Sequence, residues 1–352
     1  MHRLNGPRRW FADRLANRLA GPLADWLAER RARPSSRPAT ASSRSTSKST
    51  SMDRGRLDGD DRRRLAARLP RPRSRHGAFS VAAMQRAWRK VEANGGGAGV
   101  DGVDIASFAE RLDEELDALA RELGSGTYRP RPVRRIFVPK SGVGLRPLAM
   151  WTLRDRVAQR AVYDLLEPLF DPEFLPCSHG FRPGRSVETA VRAVIKARDA
   201  GNGWVVDADI KDCFDSLDSA IVLRLVRQRV RDRRLIELIR RWLDVRVLDA
   251  HGRTVAAGAA QGGPLSPLLC NVYLHAFDEA MARRRIPLVR YADDFVCLAP
   301  RRADAEAALQ AAAAELATLK LELHPFKTRV VHFDEGFKFL GYFFVRREHY
   351  PL

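Results

Sequence analysis

Leu288-Val289-Arg290-Tyr291-Ala292-Asp293-Asp294-Phe295-Val296-Cys297-Leu298 places two adjacent carboxylates at a reversal between two short apolar runs. The runs Leu288–Arg290 and Phe295–Leu298 read as the arms of a hairpin, with the acids at its turn. An isolated Asp-Asp pair is more often a solvated loop. Here apolar arms bury the base of the turn, so the carboxylates face a constrained site. Two acids held this close repel strongly unless cations neutralise them.

A third acid is expected on a neighbouring strand. Trp204 to Ile210 is β-branched and aromatic, the texture of a buried strand, and it runs into Asp207-Ala208-Asp209-Ile210-Lys211-Asp212-Cys213-Phe214-Asp215. Strand alternation puts Asp207 and Asp209 on one face, so one of the two can be structural. Asp215 and Asp218 suit the capping of a following helix. Three carboxylates from two strands can hold two Mg2+ ions about 3.5–4 Å apart, one activating a 3′-hydroxyl and the other holding a triphosphate. That is the chemistry of nucleotidyl transfer. Between the acidic segments lies Gln261-Gly262-Gly263-Pro264-Leu265-Ser266-Pro267, a glycine-rich loop feeding a helix and open to close approach by a nucleotide or template.

Outward from these segments the chain alternates helices and short strands. Helices are predicted over 79–93, stopping at Asn94-Gly95-Gly96-Gly97, and over 105–123, 154–170, 187–199, 219–230, 233–243, 267–283 and 303–319. Strands are predicted at 134–139 and 145–150, with a hairpin turning at Ala250-His251-Gly252 and two closing strands at 329–333 and 337–345. The pattern is a mixed α/β chain.

The chain has 352 residues, 45% of them hydrophobic and 30% charged, enough to bury a large core. Net charge is +19, which implies a polyanionic partner, nucleic acid in the first instance. Residues 1–76 hold 20 Lys and Arg against 7 Asp and Glu, so the body of the chain is only mildly basic. Residues 1–34 read as an amphipathic basic helix or helix pair. It is suited either to docking on RNA, a partner or a membrane surface, or to packing on the body of the protein. Residues 35–76, rich in Arg, Ser and Pro, read as a flexible linker, and 77–352 as the catalytic body. The basic arm is expected to bind nucleic acid with strong salt dependence and little sequence preference. No apolar run reaches the ~18–20 residues of a membrane span. Cys177, Cys213, Cys270 and Cys297 form no CxxC pair, so no disulfide framework is indicated and a reduced, cytoplasmic home is expected.

The order of motifs resembles the reverse transcriptases of bacterial group II introns and their relatives over about residues 95–345. The resemblance rests on Gly99-Val100-Asp101-Gly102, Ile136-Phe137-Val138-Pro139-Lys140, Leu145-Arg146-Pro147-Leu148 and Asp155-Arg156-Val157-Ala158-Gln159. Leu166-Glu167-Pro168 and Ser178-His179-Gly180-Phe181-Arg182-Pro183-Gly184 follow. The aspartate strand, the Gln-Gly-Gly loop, the Tyr-Ala-Asp-Asp turn, Lys327-Thr328 and Phe339-Leu340-Gly341-Tyr342 complete the series.

The resemblance implies a right-hand fingers–palm fold with an antiparallel palm sheet packed on helices, and an RNA-directed DNA polymerase that extends a DNA or RNA primer on an RNA template with dNTPs. It implies Asp209, Asp293 and Asp294 as metal ligands with the Ile210 backbone, two Mg2+ ions (Mn2+ as a substitute), and Lys140 and Arg146 gripping the triphosphate. Phe214 matches a gate against the ribose 2′-hydroxyl, its alternative being a core aromatic. Gln261 matches the residue over the nucleotide sugar. Lys327 matches a general acid for pyrophosphate, with a solvated lysine as its alternative. Arg182 and Arg185 match contacts to template or primer backbone. After Phe339-Leu340-Gly341 such enzymes usually continue into a thumb, with maturase and endonuclease regions. None is recognised before Leu352, so two expectations stand: the thumb role is met elsewhere, by a protein or RNA partner or by the basic extension, or the gene is truncated and poorly processive. Two other readings stand beside this one: a non-catalytic, maturase-type RNA-binding protein, and a defence-associated polymerase with unusual template use, CRISPR-linked or antiviral.

Overall fold

The computed structural model describes residues 79–139, 145–249, 251–255 and 262–352. The predicted basic helix of residues 1–34 and linker of residues 35–76 lie outside the described residues.

Helix α1 (Val81–Asn94) is capped by Ser80 and ends on Gly95, whose φ of 67° suits the missing side chain. It buries Met84, Trp88 and Val91. The single helix expected over 105–123 is two, α2 (Ile105–Ala109) and α3 (Leu112–Ser125). The break at Arg111 lets Phe108 stack on Trp88 while Leu116, Leu119 and Leu123 face the core. A hairpin follows, β1 (Val133–Pro139) against β2 (Leu145–Met150), antiparallel and in unbroken register from Arg134↔Met150 to Pro139↔Leu145. Helix α4 (Leu153–Phe170) is capped by Thr152 and passes through the core. Its Arg156 donates to the carbonyls of Trp151, Gly95 and Gly97, which holds the glycine segment after α1 against the hairpin.

A short 3-10 turn at Asp171–Glu173 leads through a loop to α5 (Val187–Asp199). Strand β3 (Trp204–Asp209), the one-turn α6 (Cys213–Ser216), α7 (Ser219–Val226) and α8 (Arg233–Leu243) come next. Asp218 accepts from the Ile221 amide and caps α7, as expected, whereas Asp215 lies inside α6 and caps nothing. Two-residue strands β4 (Val247–Leu248) and β5 (Thr254–Val255) make the expected hairpin. Then follow α9 (Ser266–Arg283), β6 (Leu288–Tyr291), β7 (Asp294–Ala299), α10 (Arg302–Thr318) and β8 (Arg329–His332).

The closing strand expected over 337–345 is a hairpin, β9 (Phe337–Phe339) and β10 (Tyr342–Val345), because Leu340 and Gly341 both take positive φ at a tight turn. A further strand, β11 (Glu348–Pro351), pairs with β10; its side chains are all exposed, so its sequence carries no burial pattern.

The central sheet has the order β6-β7-β3-β8, every pair antiparallel. A second sheet runs β2-β1-β4-β5 and a third β11-β10-β9. The central sheet is buried on both faces. Val206, Ala208, Phe295 and Cys297 join the large core with α4, α9 and α10, and Val205, Val289, Val296, Leu298 and Val331 join a second core with α5, Phe337 and Phe344. Among the described residues no helix is long and apolar enough to cross a membrane.

Candidate active site

Strand alternation on β3 and β7 builds the site. Val205, Asp207 and Asp209 share one face of β3, and Asp294, Val296 and Leu298 share the matching face of β7. The register pairs Val205 with Leu298, Asp207 with Val296 and Asp209 with Asp294. The face is thus aliphatic where α5 and the third sheet cover it, and turns acidic over its last two rungs, first at Asp207 and then at Asp209 and Asp294. Asp209 and Asp294, 85 positions apart in sequence, are brought directly opposite one another. Asp293 sits beside them in the two-residue turn between Tyr291 and Asp294, which are themselves register partners.

The electrostatics of this rung are those of crowded acid. Asp294 is pushed up to about 7 by the protein packed around it and by the charges of Asp293, Asp209 and Asp207. Water reaching the open side of Asp294 screens part of that repulsion. Burial raises Asp293 as well, with Asp209 adding to the effect. The cation at hand is Lys327, whose Nζ lies 2.5 Å from Asp209 Oδ2 and whose own pKa is raised by that bond. The segment carrying Lys327 is tied to the same strand, since the His324 amide donates to the Asp209 carbonyl at 2.8 Å. Asp207 is paired with Arg329 at 3.1 Å, the structural member of the Asp207/Asp209 pair, although burial still raises its pKa.

The Tyr291–Asp294 turn is held from below. Ala292 has φ 58°, a left-handed conformation costing about 1–2 kcal/mol for a residue with a Cβ. Its carbonyl accepts from Arg290 Nη1 at 2.9 Å. The loop at Gly180 presses against the same turn: a Cβ there would stand 2.5 Å from the Ala292 nitrogen, so only glycine allows the approach. The sequence reading gave no role to Arg290 or Asp278, and took Asn271 only as the end of the Gln261–Asn271 motif. The available signal was Arg290 itself, a charge inside an apolar hairpin arm.

Other expected site residues divide. The bridge of Ile210 to Leu323 uses the Asp209 carbonyl and the Lys211 amide, so it leaves the Ile210 carbonyl uncommitted. Phe214 is buried in the large core, with 9% of its surface exposed at the edge. Arg182 is engaged within its own loop. It is buried, and its guanidinium donates to Asp171 Oδ1 and to the carbonyls of Asp171, Leu175 and Ser178. Four of five donors are spent on its own loop, which gives Arg182 a part in the scaffold of that loop. Arg185 is half-buried, with one long bond to the Pro176 carbonyl. Lys140, Gln261 and the side chain of Arg146 lie outside the described residues; the Arg146 backbone pairs with Val138.

Asp209, Asp293, Asp294 and the Ile210 carbonyl are hard oxygen donors of the kind Mg2+ takes. Their mutual repulsion is what a bound cation relieves, and Lys327 stands in for one at Asp209. By the chemistry of its donors the set would suit a divalent ion, which would have to displace Lys327 from Asp209 Oδ2. Among the described residues no three His, Cys, Asp or Glu side chains are already gathered around one point.

With this geometry in hand, the family match and the curated relatives point to one class. Residues 138–344 match the family model described as reverse transcriptase (RNA-dependent DNA polymerase), and the chain belongs to that family. Protein YkfC of Escherichia coli K12 is 35% identical over 289 residues, 71% of this chain and 76% of YkfC. The group II intron-encoded protein LtrA of Lactococcus lactis is 37% identical over 181 residues, covering 51% of this chain but only 30% of LtrA. Among solved structures, apo telomerase from Candida tropicalis truncated from its C-terminal domain superposes with a TM-score of 0.49 at 14% identity, over 63% of this chain and 55% of that one. The mixed helix-and-sheet class expected from the sequence holds, with the central sheet antiparallel throughout.

Proposed function

We propose that the chain is an RNA-directed DNA polymerase that extends a primer with dNTPs by two-metal nucleotidyl transfer. The observation that carries this reading is the register pairing of Asp209 with Asp294, with Asp293 in the adjoining turn. Asp209, Asp293, Asp294 and the Ile210 carbonyl hold Mg2+, with Mn2+ as a substitute. When bound, the ions supply an activated primer 3′-hydroxyl and neutralise the triphosphate. Lys327, which pairs with Asp209, would give its Nζ proton to the departing pyrophosphate as a general acid. Lys140 and Arg146 neutralise the incoming phosphates, a point charge beside a forked donor. Gln261 is assigned to recognition of the nucleotide sugar, and Arg185 to the backbone of template or primer.

The direct test is primer extension on an RNA template. The wild-type protein is expected to incorporate dNTPs with Mg2+ or Mn2+ and to stop when the metal is chelated. No incorporation under any divalent ion, with RNA still bound, would replace this reading with the second one, a non-catalytic RNA-binding protein of maturase type. That second reading is favoured by one observation, the ammonium of Lys327 already seated on Asp209. Selectivity supplies an independent check. Phe214 is almost wholly buried, and if it gates the sugar, Phe214→Ala is expected to raise ribonucleotide use by about 1–3 kcal/mol of discrimination, roughly 10- to 200-fold. Unchanged rejection of ribonucleotides would return Phe214 to a packing role.

A further inference from the structure

Arg290 is fully buried on β6, two residues before the turn, and faces α9. Its guanidinium is forked onto Asp278, Nε to Oδ1 at 2.7 Å and Nη2 to Oδ2 at 2.6 Å. Nη1 also donates to Asn271 Oδ1 at 3.0 Å and to the Ala292 carbonyl at 2.9 Å, and Nη2 to Ser178 Oγ at 2.9 Å. All five donors are therefore used, on α9, on the loop before α5 and on the acidic turn. The backbone repeats the link, since the His179 amide donates to the Arg290 carbonyl and the Arg290 amide to the Cys177 carbonyl, both at 2.8 Å. Asn271 closes the ring by donating from Nδ2 to the Gly180 carbonyl at 2.8 Å.

We propose that Arg290 is a positioning residue for catalysis, which holds the Ala292 carbonyl so that the Asp293-Asp294 turn keeps its left-handed geometry opposite Asp209. The inference rests on the polymerase reading and adds to it a residue that touches neither substrate nor ions. Three observations support it. The β6–β7 ladder stops at Tyr291↔Asp294, so no ladder bond fixes the two turn residues. Ala292 occupies a disfavoured conformation, which persists only where surroundings over-determine it. Stability alone does not call for a buried ion pair, since apolar residues of similar volume often serve as well. What an apolar replacement cannot do is donate to the turn.

The test compares Arg290→Lys with an apolar pair, Arg290→Met with Asp278→Leu. Lysine keeps the charge beside Asp278 but lacks the planar fork that reaches Asn271, Ser178 and Ala292 together. Both proteins are expected to fold and to bind primer–template and dNTP within about 3-fold of wild type. Their kcat is expected to fall about 100-fold, the scale of a misplaced reacting group. Amide exchange is expected to speed up in peptides spanning 288–295 and 177–181 and to stay slow through β3 and α10. A folded variant with wild-type kcat overturns the proposal, as does faster exchange spread evenly over the sheet. Failure of both variants to fold makes Arg290 a residue of stability and overturns it too. The exchange measurement needs no turnover, so an inactive wild type sinks the polymerase reading while a turn-confined effect still establishes the positioning.

Discussion

Asp294→Asn, and likewise Asp293→Asn, is expected to abolish primer extension and at the same time to stabilise the metal-free protein. The substitution keeps the shape of the side chain and removes its charge. Loss of an anionic ligand is expected to cost several kcal/mol of transition-state stabilisation, at least about 1,000-fold in kcat. The stability gain follows from the raised pKa. The Asp294 carboxyl is pushed up to about 7 by burial and by Asp293, Asp209 and Asp207, so the folded chain holds its proton more tightly than the unfolded chain. A raised pKa contributes stability that is complete below about pH 4 and lost as pH rises through about 7. Each unit is worth about 1.4 kcal/mol, and solvent screening at the open side of the strand reduces the total to about 1–2 kcal/mol. Thermal melts in chelator should therefore show wild type and Asp294→Asn converging at pH 4 and separating by several degrees at pH 8, the variant higher. A variant that melts below wild type at pH 8 would mean that the carboxylate is not strained by its neighbours.

Asp278→Ala is expected to be the most damaging single substitution outside the acidic rung. Asp278 and Arg290 have no exposed side-chain surface, and removing the acid leaves a guanidinium charge buried without its counter-ion. Breaking such a pair from one side costs about 3–5 kcal/mol. An exposed pair such as Arg302–Glu306 on α10, with side chains 68% and 54% open, is worth well under about 1 kcal/mol. Urea unfolding of Asp278→Ala beside Glu306→Ala checks the contrast. Similar losses in the two would show that the Arg290 pair is hydrated. The double replacement Arg290→Met with Asp278→Leu should recover most of the stability that Asp278→Ala loses, because it leaves no charge behind.

The local readings that succeeded share a physical basis. Ser80, Thr152, Ser186 and Asp218 cap the helices that periodicity predicts, and each cap is a bond between neighbours in sequence. The β3 strand and the acidic hairpin were legible because their apolar residues are buried on both faces. What escaped was either amphipathically silent or dependent on distant partners. Strand β11 is exposed on every residue. The break at Arg111 answers to the stacking of Phe108 on Trp88, a contact between separate helices. Arg182 looks like a surface cation in sequence, and only the loop folded around it shows that its donors are spent.

By itself the sequence determined which chemistry is available: acids at the end of a buried strand and at the turn of an apolar hairpin, and the ordered motifs of a reverse transcriptase. The tertiary structure alone decided which of those acids meet. The Asp209–Asp294 rung, the Lys327 bridge and the Arg290 hub each join residues far apart in the chain. Their energies depend on distance and on exclusion of water, and neither quantity is set until the sheet has closed between its two cores.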